Sequence, residues 1–347
     1  MVRDASLAGP APLHVSLVAV PQAALSTLTG IFDVLSAFAL LPKTAKAPPF
    51  RVEIVGLEAG SLELASRIPI TVQRSISQVE STDIVIMPSL VLGANGWLKG
   101  KHPELVDWLR SMHRRGAQLC SACTGIFLLA ETGLFAGMDA TVHWANAPEF
   151  GAAFPEVRAH PERVLVVSGR REELVTSGAS MTWHDLVLYL IARHVGATSA
   201  QEVARFFALQ WHQDGLAPYI VFEGPSGHGD AAVNAAQVWA KKHFSAANSL
   251  EGMIAKSGLT ERTFKRRFST ATGMSPIAYI QRLRVEDAKR RLERTAVSVD
   301  EISWQVGYEE PAFFRRLFKR VTGVTPGAYR RRFKIPDYAR RSSARSE

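Results

Sequence analysis

The chain has 347 residues, 47% of them hydrophobic, and carries a net charge of +9. That length predicts about two domains, and that composition excludes a disordered or collagen-like chain. No run of about 18 apolar residues occurs, so no membrane-spanning helix is expected. Met1 to Pro12 lacks the basic stretch and apolar core of a secretory signal. The two cysteines, Cys120 and Cys123, are too few for a disulfide framework and fit a reducing compartment. A cytoplasmic protein is the expectation.

The first 200 or so residues alternate apolar runs with helical patterns. Val15–Val20, Val52–Leu57, Asp83–Pro88, Gln118–Ala122, Val164–Ser168 and Leu174–Ser177 read as short strands. Most are near-continuous apolar runs, the mark of strands covered on both faces. Helical spacing predicts helices over Leu25–Leu40, Glu104–Arg115, Ile126–Thr132, Met181–His194 and Ser199–Trp211. Such alternation argues for an α/β sandwich, flavodoxin-like, on a mainly parallel sheet. Residues 213–230 are dense in Gly and Pro and read as an interdomain linker. This divides the chain into a first domain over 1–212, a linker over 213–230, a second domain over 231–335, and a basic, Ser-rich tail over 336–347 expected to be disordered.

The second domain contains one pattern twice. Phe264, Arg266, Phe268, Thr272, Gly273, Pro276, Ala278 and Tyr279 recur fifty positions later as Phe314, Arg316, Phe318, Thr322, Gly323, Pro326, Ala328 and Tyr329. Each copy reads as helix-turn-helix. In the first, Leu250–Ala255 is a short helix, the turn runs through Gly258, and Thr260 caps the next helix with Thr263 at the box position. In the second, Asp300–Gln305 precedes a turn through Gly307 and a helix with Pro311 in its first turn. Pro276–Glu293 lies between them as a helical spacer. On the second helix of each unit, aromatic residues four apart define an inner face: Phe264 with Phe268, and Phe314 with Phe318. Arg262, Lys265 and Arg266 share an opposite face, as do Ala312, Arg315 and Arg316.

Charge follows the same division. From Ala231 onward there are 24 Lys and Arg against 11 Asp and Glu, a net of +13; the preceding residues hold 17 against 21, a net of −4. A basic module on a mildly acidic body points to a polyanion. The basic residues ride on helices with aromatic cores, not on a wide lipid-facing stripe, which favours duplex DNA over a membrane surface. A repeated reader also suits a target whose major groove returns once per turn.

The last 100 or so residues resemble the AraC/XylS family, and Gly307 to Tyr329 falls on its signature region. The resemblance implies two recognition helices entering successive major-groove segments about 34 Å apart. Arg262, Lys265 and Arg266 correspond to the first base-reading face, and Pro311, Ala312, Arg315 and Arg316 to the second. Pro311 and Ala312 offer no side-chain donor, which leaves direct readout to Arg315 and Arg316, with Ala312 suited to a thymine methyl.

In the first domain, Ser121-Ala122-Cys123-Thr124-Gly125 sits where a strand meets a helix, and its small residues suit a sharp elbow that displays a nucleophile. With the later Thr141-Val142-His143-Trp144, this segment resembles the PfpI-like branch of the class I glutamine amidotransferase-like superfamily. Two departures count against catalysis. Thr124 stands where the proteases of that branch place His, and Pro21 to Ser26 lacks the carboxylate that region supplies. A thiol without base or acid is a poor nucleophile. Three readings of Cys123 stay open: a wall of a ligand pocket with Thr124, His143 and Trp144, a buried vestige, or a working hydrolase. His143 is equally a core histidine, and Trp144, Trp183 and Trp211 are expected in the core. The C-x-x-C of Cys120 and Cys123 supplies neither a redox dithiol nor a zinc site, so no metal, cofactor or catalytic residue is expected.

The domain combination resembles the GlxA-type transcriptional regulators. That resemblance implies a homodimeric sensor of a small effector, of the amino acid, amine or betaine class, that activates catabolic genes through promoter DNA and RNA polymerase. The rival readings are a cysteine hydrolase or amidase with an appended DNA-binding domain, and an architectural DNA binder with no effector.

Overall fold

The computed structural model describes residues 11–40, 49–336 and 339. Most of the expected tail after Pro336 lies outside the described residues. The chain forms two compact units, divided between Leu216 and Ala217.

The first unit runs, in chain order, through β1 (Leu13–Val18), α1 (Leu25–Ser36), β2 (Phe50–Gly56), β3 (Gly60–Glu63), β4 (Pro69–Val72), β5 (Arg74–Ser75), β6 (Ile84–Met87), α2 (Pro103–Arg114) and β7 (Gln118–Ala122). It continues with α3 (Ile126–Ala130), β8 (Asp139–Ala140), α4 (Ala147–Ala153), β9 (Arg158–Ala159), β10 (Leu165–Ser168), β11 (Leu174–Ser177), α5 (Trp183–His194) and α6 (Ala197–Phe206). Seven strands form the main sheet in the order β10-β11-β7-β6-β1-β2-β5. All its pairings are parallel except β10 against β11. The α/β sandwich is therefore mainly parallel, as the apolar runs predict. β6 and β7 are buried at every position, because layers cover both faces of the sheet centre. From β1 the chain goes to β2 on one side and later returns to β6 on the other. This reversal makes a switch point, and the crevice outside the carboxyl ends of such strands is where α/β sheets bind ligands.

The β3–β4 hairpin is not legible as strands in the sequence, since neither half is buried on both faces. The helix expected to reach Trp211 stops at Phe206, and Ala208 takes a left-handed conformation at φ 53°. Trp211 thus lies on irregular chain and is 40% exposed, not in the core. Trp183 is buried, as expected. No helix among the described residues is long and apolar enough to cross a membrane.

The second unit contains α7 (Ala231–His243), α8 (Ser249–Ser257), α9 (Glu261–Thr272), α10 (Pro276–Arg294), α11 (Val299–Gln305), α12 (Pro311–Thr322) and α13 (Pro326–Phe333). Two hydrophobic cores serve it. One gathers Val233, Met253, Phe264, Phe268 and Tyr279; the other gathers Ile302, Val306, Phe314, Phe318 and Tyr329. Part of the expected linker packs here as well. Lys289 Nζ donates to the Ile220 carbonyl at 2.6 Å, Phe222 meets Tyr279 edge-on at 5.4 Å, and Gln237 Nε2 donates to the Pro225 carbonyl at 2.9 Å.

Candidate nucleic-acid interface and effector cavity

The repeated residues do the same work in both copies. Phe264 and Phe268 are fully buried with ring centroids 5.4 Å apart; Phe314 and Phe318 are fully buried at 5.7 Å. Tyr279 and Tyr329 close each core with an edge contact to Phe268 and Phe318. The Thr-Gly-x-Ser/Thr-Pro turn is equally explicit. The Thr272 hydroxyl donates to the Phe268 carbonyl at 2.7 Å, and that of Thr322 to the Phe318 carbonyl at 2.8 Å. Gly273 and Gly323 end their helices in the left-handed conformation. Ser275 and Thr325 then cap α10 and α13 by accepting from Ala278 N and Ala328 N, each at 3.2 Å, with Pro at the first helical position. This cap makes α13, a helix the sequence pattern did not single out.

At Thr260 the cap position is as expected, but its hydroxyl donates to Thr263 Oγ1 at 3.0 Å and accepts no backbone N–H of the helix. Both are hydroxyl residues, so each satisfies the other and the box is not formed.

α9 follows the turn at Gly258, and α12 the turn at Gly307, so each is the second helix of a helix-turn-helix. Arg262, Lys265 and Arg266 on α9, and Ala312, Arg315 and Arg316 on α12, are all exposed opposite the aromatic face. They differ in what already holds them. Lys265 pairs with Glu261 one turn back, and Arg315 pairs with Asp300 of α11. Among the described residues Arg262, Arg266 and Arg316 form no ion pair, and their guanidinium groups are uncommitted.

In the first unit, β7 ends at Ala122 and the chain turns sharply. Cys123 adopts φ 53°, a left-handed conformation that costs a non-glycine residue about 1–2 kcal/mol. A side chain at Gly125 would put its Cβ 2.5 Å from the Pro88 carbonyl oxygen and 2.7 Å from that of Met87, so only glycine lets the elbow press against β6. Thr124 locks the neighbouring loop: its hydroxyl donates to the Leu90 carbonyl at 2.6 Å and accepts from Leu90 N at 2.8 Å.

Beside the elbow lies a cavity of about 320 Å³, lined by Ser89, Leu90, Cys123, Thr124, His143 and Ser180 among others. It sits outside the carboxyl ends of β6 and β7, next to the switch point. Ser89 is 5% exposed, and its Oγ has no hydrogen-bond partner among the described residues. A buried hydroxyl left unpaired costs about 1–3 kcal/mol, so a ligand that bonds it recovers that cost.

The sequence-predicted pocket residues are largely brought together. Cys123, Thr124 and His143 line the cavity. Trp144 does not; it stacks on His143 at 4.0 Å between centroids. The Cys123 thiol meets Ser180 Oγ at 3.5 Å. Burial holds His143 below the ordinary histidine pKa, keeping it neutral near pH 7. Its Nδ1 accepts from Ala145 N at 3.2 Å, so Nε2 carries the proton and is a donor, not a base. No carboxylate lines this cavity among the described residues. Cys120 is a strand residue, fully buried, and burial pushes its thiol far up, away from thiolate chemistry.

Sequence reasoning missed Ser89, Ser180 and the loop they frame. It also missed a larger cavity, about 710 Å³, near Asp185, Tyr189 and Trp211. There the buried Asp185 carboxylate already accepts from His212 N at 2.9 Å and pairs with His212 Nδ1 at 2.7 Å. That pair fastens His212 to α5, whereas the Cys123 cavity keeps an unanswered hydroxyl.

An α/β domain with a cavity at its switch point, followed by a domain with two helix-turn-helix units, is the build of a DNA-binding transcription regulator. The comparisons agree. Residues 22–193 match the DJ-1/PfpI family and residues 253–332 match a helix-turn-helix domain. The HTH-type transcriptional regulator CdhR of Pseudomonas aeruginosa is 25% identical over 273 residues, covering 76% of this chain and 77% of CdhR. The HTH-type transcriptional regulator GlxA of Rhizobium meliloti is 27% identical over 224 residues, covering 61% and 67%. The isonitrile hydratase of Pseudomonas putida is 27% identical over 191 residues, covering 55% of this chain and 76% of that enzyme. The chain thus joins a DJ-1/PfpI-type domain to an AraC-type helix-turn-helix domain, and its relatives are mostly transcriptional regulators.

Proposed function

We propose that the chain is a metabolite-responsive regulator: a small effector occupies the Cys123 cavity, and α9 and α12 read two successive major-groove segments of a promoter. The duplicated reader carries this conclusion, because two matching aromatic cores each present uncommitted guanidinium charge on the opposite face, Arg262 and Arg266 on α9 and Arg316 on α12. Arg262, Lys265 and Arg266 serve the first half of the site; Ala312, Arg315 and Arg316 serve the second. The effector is a small polar metabolite of the amino acid, amine or betaine class, held by Ser89, Cys123, Thr124 and His143, with Trp144 backing His143. The first domain also dimerises, the protein works in the cytoplasm, and on promoters it acts with RNA polymerase as an activator of catabolic genes. It is not an enzyme: the thiol faces a serine, and His143 presents a donor. A ligand moves the promoter equilibrium only by its differential affinity for two arrangements of the chain.

The test is DNA binding by Arg266→Ala and Arg316→Ala. Each is expected to lose about 1–3 kcal/mol of discrimination at its own half of the site, if bidentate to guanine. Unchanged affinity and sequence preference in both variants would defeat the assignment. The strained elbow at Cys123 favours one rival, a hydrolase. Turnover of amide substrates that vanishes in Cys123→Ala would establish it instead.

A further inference from the structure

α10 belongs to both readers, and its allegiance changes within three residues. Tyr279, Ile280 and Leu283 enter the first core; Val285, Ala288 and Leu292 enter the second. Arg284 stands at the changeover and is only 9% exposed. Its Nε donates to the Phe244 carbonyl at 2.7 Å, and Nη2 to the Ala246 carbonyl at 2.9 Å, with Ser249 Oγ at 3.5 Å. Those acceptors lie at the α7–α8 turn, on the side of the first reader. Its Nη1 donates to the Gly307 carbonyl at 2.7 Å, and its guanidinium lies 4.9 Å from the centre of the Tyr308 ring. Those groups form the turn of the second reader.

No carboxylate pairs with Arg284 among the described residues. Its charge is balanced by backbone dipoles and an aromatic face, an arrangement that needs every donor of the planar fork in place. A lysine offers one nitrogen and cannot reach three carbonyls set around a plane. Gly307 meets the same joint from the other side. With φ 95°, it would place an added Cβ 2.3 Å from the Ser245 carbonyl oxygen and 3.0 Å from Arg284 Cζ.

We propose that Arg284 is a positioning residue that sets the separation and rotation of the two readers, and so the spacing between half-sites that the protein accepts. This rests on the reading that α9 and α12 both enter the groove. One extra base pair between half-sites displaces the second by about 3.4 Å and turns it by about 35°. A joint made of one side chain and three carbonyls rejects that displacement; a loosened joint admits it.

The experiment enriches duplexes from a random pool with the full chain, then with Arg284→Lys and with Gly307→Ala. The unaltered protein should recover two motifs at one separation. Each variant should recover the same two motifs with the separation spread over neighbouring spacings. Each should also lose about tenfold in affinity for the parent duplex while binding single-motif duplexes as before, since only the linkage between readers is weakened. One unchanged separation in both variants would overturn the proposal. So would an equal loss on single-motif duplexes, or a loss of helical circular dichroism in both variants, since Arg284 would then hold the fold and not the spacing. If the unaltered protein recovers no paired motif, the two-reader reading fails first and the proposal falls with it.

Discussion

Replacing Thr124 by Val removes one oxygen and leaves the side-chain shape nearly unchanged. Two bonds go with it, because the hydroxyl serves both the Leu90 carbonyl and the Leu90 amide. Thr124 and Leu90 are 6% and 5% exposed, so water cannot readily replace the lost partner. An unpaired buried backbone group costs about 1–3 kcal/mol. The loop keeps other ties: Ala24 N donates to the Ser89 carbonyl and Val91 N to that of Gln22, each at 2.8 Å. Partial relaxation against those ties brings the expected loss to about 2–4 kcal/mol. For a unit of this size that lowers the melting temperature by about 5–15 °C. Scanning calorimetry of the full chain reads it, with Thr124→Ser as the control. Serine keeps the oxygen and gives up one methyl, about 1 kcal/mol. A loss under about 1 kcal/mol in Thr124→Val, or an equal loss in Thr124→Ser, would refute the claim that this hydroxyl locks the loop.

Two further outcomes are expected. Asp300→Asn releases Arg315 from an exposed pair worth about 0.2–1 kcal/mol and removes a negative charge beside α12, the helix proposed to face DNA. Fluorescence anisotropy should show tighter duplex binding at low salt, fading as salt screens the difference; weaker binding would mean that Asp300 orients Arg315 for its contact. Acidification should also weaken the first unit in the range set by histidines. Burial holds His102, His143, His184 and His194 below the ordinary value of 6.5. The unfolded chain therefore takes up protons first, and stability falls once the pH drops below about 6.5. Glu53 contributes in a lower window. Against the upward push of burial, hydrogen bonds from Arg74 and His14 hold it below 4.5, and that stability is lost only as the carboxylate protonates. Melting temperature measured from pH 8 to 5 should stay level and then decline; a rise on acidification would contradict the histidine assignment.

Much of the candidate DNA interface is legible in the chain itself. The period of Phe264 with Phe268 and of Phe314 with Phe318 names the buried face of each helix, and the basic face follows by geometry. The turn residues Thr272, Gly273, Ser275 and Pro276 announce a helix end and a helix start, and each does that work within a few residues of itself: Thr272 and Ser275 through their hydroxyls, Gly273 and Pro276 through their backbone. The continuous apolar run of β6 likewise reports a sheet covered on both faces. The small residues around Cys123 report the elbow.

What stayed hidden needs partners distant in sequence. Nothing local says that Arg284 will find carbonyls at Phe244, Ala246 and Gly307, or that Thr124 will close on Leu90. Arg315 looks like a free reader until Asp300 is seen beside it, and Trp144 looks like a pocket wall until it stacks behind His143. Composition, period and capping arise from forces within a few residues, so the chain alone determined an α/β part followed by a helical part, most of their elements and the face that α9 and α12 bury. Which donor meets which acceptor depends on how those elements pack. Only the tertiary structure decided that Ser89 has no hydrogen-bond partner among the described residues at the switch point and that one buried arginine joins the two helix-turn-helix units.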